Sequence, residues 1–183
     1  MAGLKTLTLL RHAKSSWDDR VARDFDRPLN ARGIRAARTM GAEMQRLGLA
    51  FDRVVASPAV RVRDTLAGVE VGYGPLPEPA FETRIYLASA DTLLDIVQAT
   101  PDDADRLLLV GHNPGLEELV FLLVPDRDDD AERDKVEEKY PTAALAEIVF
   151  DTDSWVNADA GTGRLVRFTR PRDLDAALGP DPN

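Results

Sequence analysis

Two histidines, two arginines and the short motifs around them carry the chemical content of this chain. His12 directly follows Arg11, His112 follows Gly111, and Arg61 closes the segment Ser57-Pro58-Ala59-Val60-Arg61. These residue types suit phosphoryl transfer. A transferring phosphoryl group spreads charge over several oxygens, so it needs positive donors and an aligned nucleophile. A guanidinium meets phosphate oxygens at two points and stays charged at any working pH. A neutral imidazole is a competent nucleophile near pH 7, and its product is a phosphohistidine. A second imidazole, when protonated, can donate a hydrogen bond to the transferring oxygens. Such a set needs neither metal nor organic cofactor, and none is expected. Lys14, Ser15 and Ser16 are further candidates for phosphate contact, or equally bystanders in a loop.

Secondary structure must bring these residues together. Residues 5–10 are short, β-branched and apolar and read as a buried strand that ends at Arg11; residues 53–56 and 106–110 read likewise. Asn30 looks like the N-cap of a helix from Ala31 to about Leu47, closed by Gly48. Its apolar face is expected to hold Ile34, Ala37, Met40, Met44 and Leu47. Ser57-Pro58 opens the next helix, because proline is tolerated in a first turn. Residues 68–79, rich in glycine and proline, are expected to be loop. Helices are expected over residues 90–99 and 116–123, and strands over 144–150 and 164–169. Residues 126–139 are dense in charge and read as a solvated loop or helix face rather than a binding segment.

Strands alternating with helices predict an α/β sandwich whose ligands bind beyond the carboxyl ends of the strands. Arg11-His12, the Ser57–Arg61 segment and His112 each follow such a strand. One pocket can therefore collect all three.

Composition narrows the field. The 183 residues fit one domain, expected over 1–178, with 179–183 as a flexible tail. With no cysteine, disulfides, thiolate nucleophiles and thiolate metal sites are excluded. Two histidines exclude a His-rich metal cage, while a mixed His/carboxylate site stays open on counting alone. The net charge of −9 and the scattered basic residues argue against a nucleic-acid partner. No run of apolar residues is long enough to span a membrane, and the first residues show neither signal peptide nor lipidation motif. A cytoplasmic location is expected.

The motifs also carry a family resemblance. Leu9-Leu10-Arg11-His12-Ala13 resembles the Arg-His-Gly signature of the histidine phosphatase superfamily, with Ala13 in place of the usual glycine. Pro28-Leu29-Asn30-Ala31-Arg32-Gly33 is similar to its Leu-Thr-x-x-Gly helix start. Ser57-Pro58-Ala59-Val60-Arg61 with Asp64-Thr65 resembles its Ser-Pro-x-x-Arg-x-x-x-Thr element, and Val110-Gly111-His112 its late Gly-His motif. Two further stretches, Pro141-Thr142-Ala143-Ala144 and Arg11 through Trp17, are similar to SixA-type phosphohistidine phosphatases.

The resemblance implies a three-layer α/β/α sandwich with a mostly parallel central sheet, of the phosphoglycerate mutase-like kind. It implies His12 as nucleophile, with Arg11, Arg61 and His112 clamping the phosphoryl oxygens. Arg63 is a decoy beside Arg61. Glu82 is a weak candidate for the general acid, and Asp64 a weaker one. The implied activity is removal of phosphate from phosphohistidine on a protein, such as a phosphotransfer domain. The alternatives are a phosphomonoesterase acting on a small phosphorylated metabolite and a non-catalytic phosphate binder. Trp17, Tyr86 and Trp155 are expected to serve packing, and Asn30 to cap its helix.

Overall fold

The structure, a computed structural model, describes residues 3–18 and 23–179. Six strands form one sheet: β1 (Lys5–Arg11), β2 (Arg53–Ala56), β3 (Ala80–Phe81), β4 (Arg106–Gly111), β5 (Leu145–Phe150) and β6 (Arg164–Thr169). Their order across the sheet is β3-β2-β4-β1-β5-β6. The first four run parallel, and β5 runs antiparallel to both of its neighbours, β1 and β6. The sheet is thus mixed and mostly parallel.

Alternation along each strand divides the core in two. Leu7 and Leu9 of β1 and Leu107 and Leu109 of β4 face α3 (Ala90–Gln98), α4 (Gly115–Leu123) and the buried Val136 of α5 (Ala131–Glu138). Leu10, Leu108 and Val110 face the other way, onto α1 (Ala31–Arg46) and α2 (Val60–Tyr73). Helices therefore cover both faces, and the three-layer sandwich stands. A short helix, α6 (Pro171–Leu174), completes the second layer beside α1. Asn30 caps α1 as its side chain accepts a hydrogen bond from the Gly33 amide at 2.8 Å.

Several expectations need correction. Residues 68–73 lie in α2 rather than in a loop. The reason is close helix packing. A Cβ at Gly68 would stand 2.7 Å from the Ala37 Cβ, and one at Gly72 would stand 2.3 Å from the Arg38 carbonyl oxygen. These glycines let α2 lie against α1, and their helix-breaking tendency is overridden by tertiary contact. The loop begins at Gly74, whose φ of 104° suits only glycine. The helix begins at Val60, two residues beyond Pro58.

Ile34 is 41% exposed rather than part of the buried face, whereas Ala37, Met40 and Met44 are fully buried. The charge-dense segment folds into α5, and Arg133 and Val136 go inward. Gly179 accepts a hydrogen bond from Arg32 and lines the cleft described below. The rest of the expected tail, residues 180–183, lies outside the described residues. Among the described residues no helix is long and apolar enough to cross a membrane.

Candidate active site

Strand register places the site. Arg11 pairs with Gly111, and Ala56 pairs with Val110, so β1, β2 and β4 end side by side. The His12 amide donates to the Gly111 carbonyl at 3.1 Å and the Ser57 amide to the Val110 carbonyl at 3.0 Å. The chain then releases His12, Ser57 and His112 at one edge of the sheet. The His12 and His112 ring centroids lie 5.3 Å apart.

His12 is oriented by its own loop. Its Nδ1 lies 2.7 Å from the Ala13 carbonyl oxygen. A carbonyl only accepts, so Nδ1 carries the proton and Nε2 keeps its lone pair. Burial lowers the His12 pKa to about 3, reinforced by His112 and the two arginines and opposed only by the Ala13 hydrogen bond. The ring is neutral at ordinary pH. The Ala13 amide donates to Thr65 Oγ1 at 2.9 Å, which in turn donates to the Arg61 carbonyl at 2.7 Å. Thr65 therefore ties the loop after β1 to the first turn of α2.

His112 is set the other way round. Its Nε2 lies 2.8 Å from Ser57 Oγ, and that oxygen already accepts from the Ala59 amide at 3.3 Å. We assign the hydroxyl proton to the bond with Nε2, which leaves the ring proton on Nδ1. Burial lowers the pKa to about 4, followed by repulsion from Arg61. The His112 ring is therefore neutral at ordinary pH in the free protein.

Both arginines are partly spent on structure. Arg11 Nη1 donates to the Tyr140 carbonyl at 2.9 Å. Arg61 Nη1 donates to the Asp24 carbonyl at 2.8 Å and Nη2 to Asp24 Oδ2 at 3.1 Å. What remains is informative: Arg11 Nε, Arg61 Nε and His112 Nδ1 are buried and have no hydrogen-bond partner. Buried donors are rarely left unpaired, and three beside one neutral imidazole mark a place prepared for an anion.

Asp24 was not singled out in the sequence. It stands in the 3-10 turn Asp24–Asp26, and its Oδ1 accepts from Arg27 at 3.0 and 3.2 Å while its Oδ2 accepts from the Tyr86 hydroxyl at 2.5 Å. These bonds hold its carboxyl at about 2, the Tyr86 bond contributing most. Tyr86, expected to serve packing, also stacks edge-on against His112 at 5.4 Å. Ser57, Thr65 and Arg27 were likewise given no role. Ser57 and Thr65 sit inside the quoted motifs, which was the available signal; Arg27 and Asp24 had none.

The site opens into a cleft of about 810 Å³ lined by Arg11, His12, Arg61 and Asp24 among others. Seven of the lining side chains are Lys or Arg, and Asp24 is the one acid among them. Within a chain of net charge −9, that asymmetry attracts anions. Lys14 and Ser15 line the cleft, and the Ser15 hydroxyl accepts from Arg27 at 2.6 Å. Trp17 is 76% exposed at the cleft rim, with the Arg27 guanidinium 3.5 Å over its ring, so it is no core residue. Trp155 is buried as expected and donates to the Ala104 carbonyl at 2.7 Å.

Glu82 lines a separate cavity of about 130 Å³ and is held ionised by hydrogen bonds from Arg84. Asp64 accepts from the Leu29 amide at 3.2 Å. Arg63 lies over the Phe81 ring at 4.0 Å and is absent from the cleft.

The two depressed histidines give stability a pH dependence. Both are neutral in the folded protein down to about pH 4, yet protonate near 6.5 once unfolded. The unfolded chain then binds more protons, so stability falls as pH drops from about 6.5 toward 4. Each histidine costs roughly 1.4 kcal/mol per pH unit in that window. Glu147, pushed up by burial, acts in the opposite sense. Denaturant unfolding at pH 7 and pH 5 should show the loss, and the His12→Gln/His112→Gln double variant should lose much less. An equal loss in both proteins would contradict the assignment.

Comparison with known proteins points to one family. Residues 7–82 match the histidine phosphatase superfamily (branch 1). An uncharacterised protein of Mycobacterium tuberculosis is 34% identical over 165 residues, covering 89% of this chain and all of that one. The structure of a candidate phosphohistidine phosphatase SixA from Nakamurella multipartitia superposes with a TM-score of 0.78 at 30% identity, covering 93% of this chain and 98% of that one. A second such candidate, from Agrobacterium tumefaciens, gives 0.75 at 26% identity, covering 91% and 98%. The fold is also shared with a phosphoglycerate mutase from Bacillus anthracis, at a TM-score of 0.57 and 15% identity over 90% and 92%. The chain belongs to the histidine phosphatase superfamily.

Proposed function

We propose that this protein is a phosphatase that works through a covalent phosphohistidine at His12. The observation that carries the proposal is one neutral imidazole with Nε2 open, beside three buried N–H donors that lack partners. In the first step the Nε2 lone pair attacks phosphorus, the N–P bond forms, and the bond from phosphorus to the leaving group breaks. In the second step water attacks phosphorus, the N–P bond breaks, and inorganic phosphate leaves. The water's protons remain on phosphate or pass to solvent, and His12 returns to its neutral form. Arg11, Arg61 and His112 hold the phosphoryl oxygens through both steps, where preorganised donors stabilise the developing charge. Lys14 and Ser15 flank the same cleft and serve binding rather than chemistry.

The substrate we propose is phosphohistidine on a protein. Among the described residues neither Glu82, which lies in another cavity, nor Asp24, which is held ionised, is placed to protonate a poor leaving group. A phosphorylated imidazole can leave with a proton that the substrate already carries, which removes that need. The likeness to the SixA candidate at 30% identity supports the same reading. A partner of this kind fits a cytoplasmic setting.

Turnover of a phosphohistidine protein, a phosphohistidine peptide and small phosphate esters, measured in parallel, tests the substrate. A preference for the protein of about a hundredfold corresponds to roughly 2.7 kcal/mol in the transition state. A preference of that size for a small ester would reassign the protein to phosphorylated metabolites.

A further inference from the structure

One acidic residue joins two of the arginines of the site. Asp24 takes Arg61 through its backbone carbonyl at 2.8 Å and its Oδ2 at 3.1 Å, Tyr86 through Oδ2 at 2.5 Å, and Arg27 through Oδ1. Arg27 also reaches Ser15 Oγ at 2.6 Å, so the network returns to the loop that carries His12. Both Nη groups of Arg61 are consumed by this one residue, and Nε is left as its buried, unpaired donor.

We infer that Asp24 is a positioning residue for phosphoryl transfer: it holds Arg61 by both Nη groups so that Arg61 meets the phosphoryl oxygens with Nε–H. The inference rests on the phosphatase reading above. Arg61 is only 3% exposed and has a long, flexible stem; without Asp24 its guanidinium would have several rotamers available. Charge points the same way. Asp24 is the one acid beside the seven Lys and Arg side chains that line the cleft, so it is the one lining group that can fix Arg61 by charge.

A competing role makes the opposite prediction. If Asp24 merely occupied Arg61 until substrate displaced it, its removal would free the arginine and tighten anion binding. The test uses the full chain with Asp24→Ala and Asp24→Asn, with an aryl phosphate as substrate and inorganic phosphate as binding probe. Positioning predicts that Asp24→Ala lowers kcat/KM about tenfold or more, and weakens phosphate binding several-fold, with the melting temperature little changed. Both variants keep the backbone carbonyl that Arg61 Nη1 meets, and Asp24→Asn also keeps one side-chain acceptor oxygen, so its effect should be intermediate.

Two readouts separate positioning from mere structure. In an Arg61→Lys background, Asp24→Ala should cost less than about twofold, because the partner through which it acts is gone. The Arg61 Nε–H resonance should move on adding phosphate to the wild type and stay put in Asp24→Ala. Tighter phosphate binding in Asp24→Ala, or an undiminished loss in the Arg61→Lys background, would overturn the inference. Failure of the phosphatase reading looks different: His12→Ala would keep turnover, and phosphate binding would still decide the role of Asp24.

Discussion

His12→Ala is expected to lose turnover by a factor of about a thousand or more while the protein stays folded. Among the described residues no thiol and no second open imidazole is available to replace it. The chain has no cysteine, and the other histidine is engaged through Nε2 with Ser57. The fold should survive because little structure depends on the ring: its one side-chain hydrogen bond is to the adjacent Ala13 carbonyl. Loop position is set instead by backbone bonds from His12 N to Gly111 O and from Ala13 N to Thr65 Oγ1. Removing a buried neutral imidazole also removes one source of acid sensitivity, so the variant should be relatively more resistant below pH 6. Steady-state turnover and circular dichroism on the same preparation check both halves. Turnover within tenfold of wild type would place the nucleophile elsewhere.

Arg11→Ala should cost roughly a hundredfold or more in kcat, the range seen when a preorganised donor to a developing oxyanion is removed. The side chain does two things at once. Its Nη1 secures the Tyr140 carbonyl just before β5, and its Nε–H is buried and unpaired beside His12. The structural half is backed up, since Asn113 Nδ2 donates to the same carbonyl at 3.0 Å. The chemical half has no substitute. Arg11→Lys should therefore recover stability better than activity, because a single ammonium cannot reach the carbonyl and the phosphoryl site together. Melting temperature and kcat measured on both variants would show the separation. A lysine variant with near wild-type kcat would mean that Arg11 acts only through its charge.

The central residues were legible in the sequence because each follows a strand whose composition is unmistakable. Buried parallel strands read as apolar runs, and the runs ending at Arg11, Ala56 and Val110 placed three chemical groups at one edge. Strand register then did the rest, as the pairing of Arg11 with Gly111 shows. Asp24 was not legible. It lies in a stretch of mixed charge with no periodicity, and its meaning comes from partners 37 and 62 residues away. The tautomers of His12 and His112 were equally hidden, because each depends on one hydrogen bond that spacing does not reveal.

The misread elements share a cause. Gly68 and Gly72 signal a turn by local rules, yet close packing of α1 on α2 makes glycine the residue that fits. Ile34 fits a helical period, but it falls at the margin of the face that α2 covers. In α5, Arg133 looks like solvent-facing charge and is instead buried, with its Nε on the Val124 carbonyl at 3.3 Å and its guanidinium 5.0 Å from the Phe121 ring. Tertiary contact outweighs local propensity in all three.

The most direct test is to trap the phosphoenzyme. The wild-type protein is mixed with a phosphohistidine protein or aryl phosphate, quenched within a turnover in alkali, digested and mapped by mass spectrometry. The account predicts one phosphoryl group, on His12, stable in alkali and lost in acid, and absent from His12→Ala. A phosphoryl group on any other residue, or rapid turnover with no phosphoenzyme at all, would contradict it.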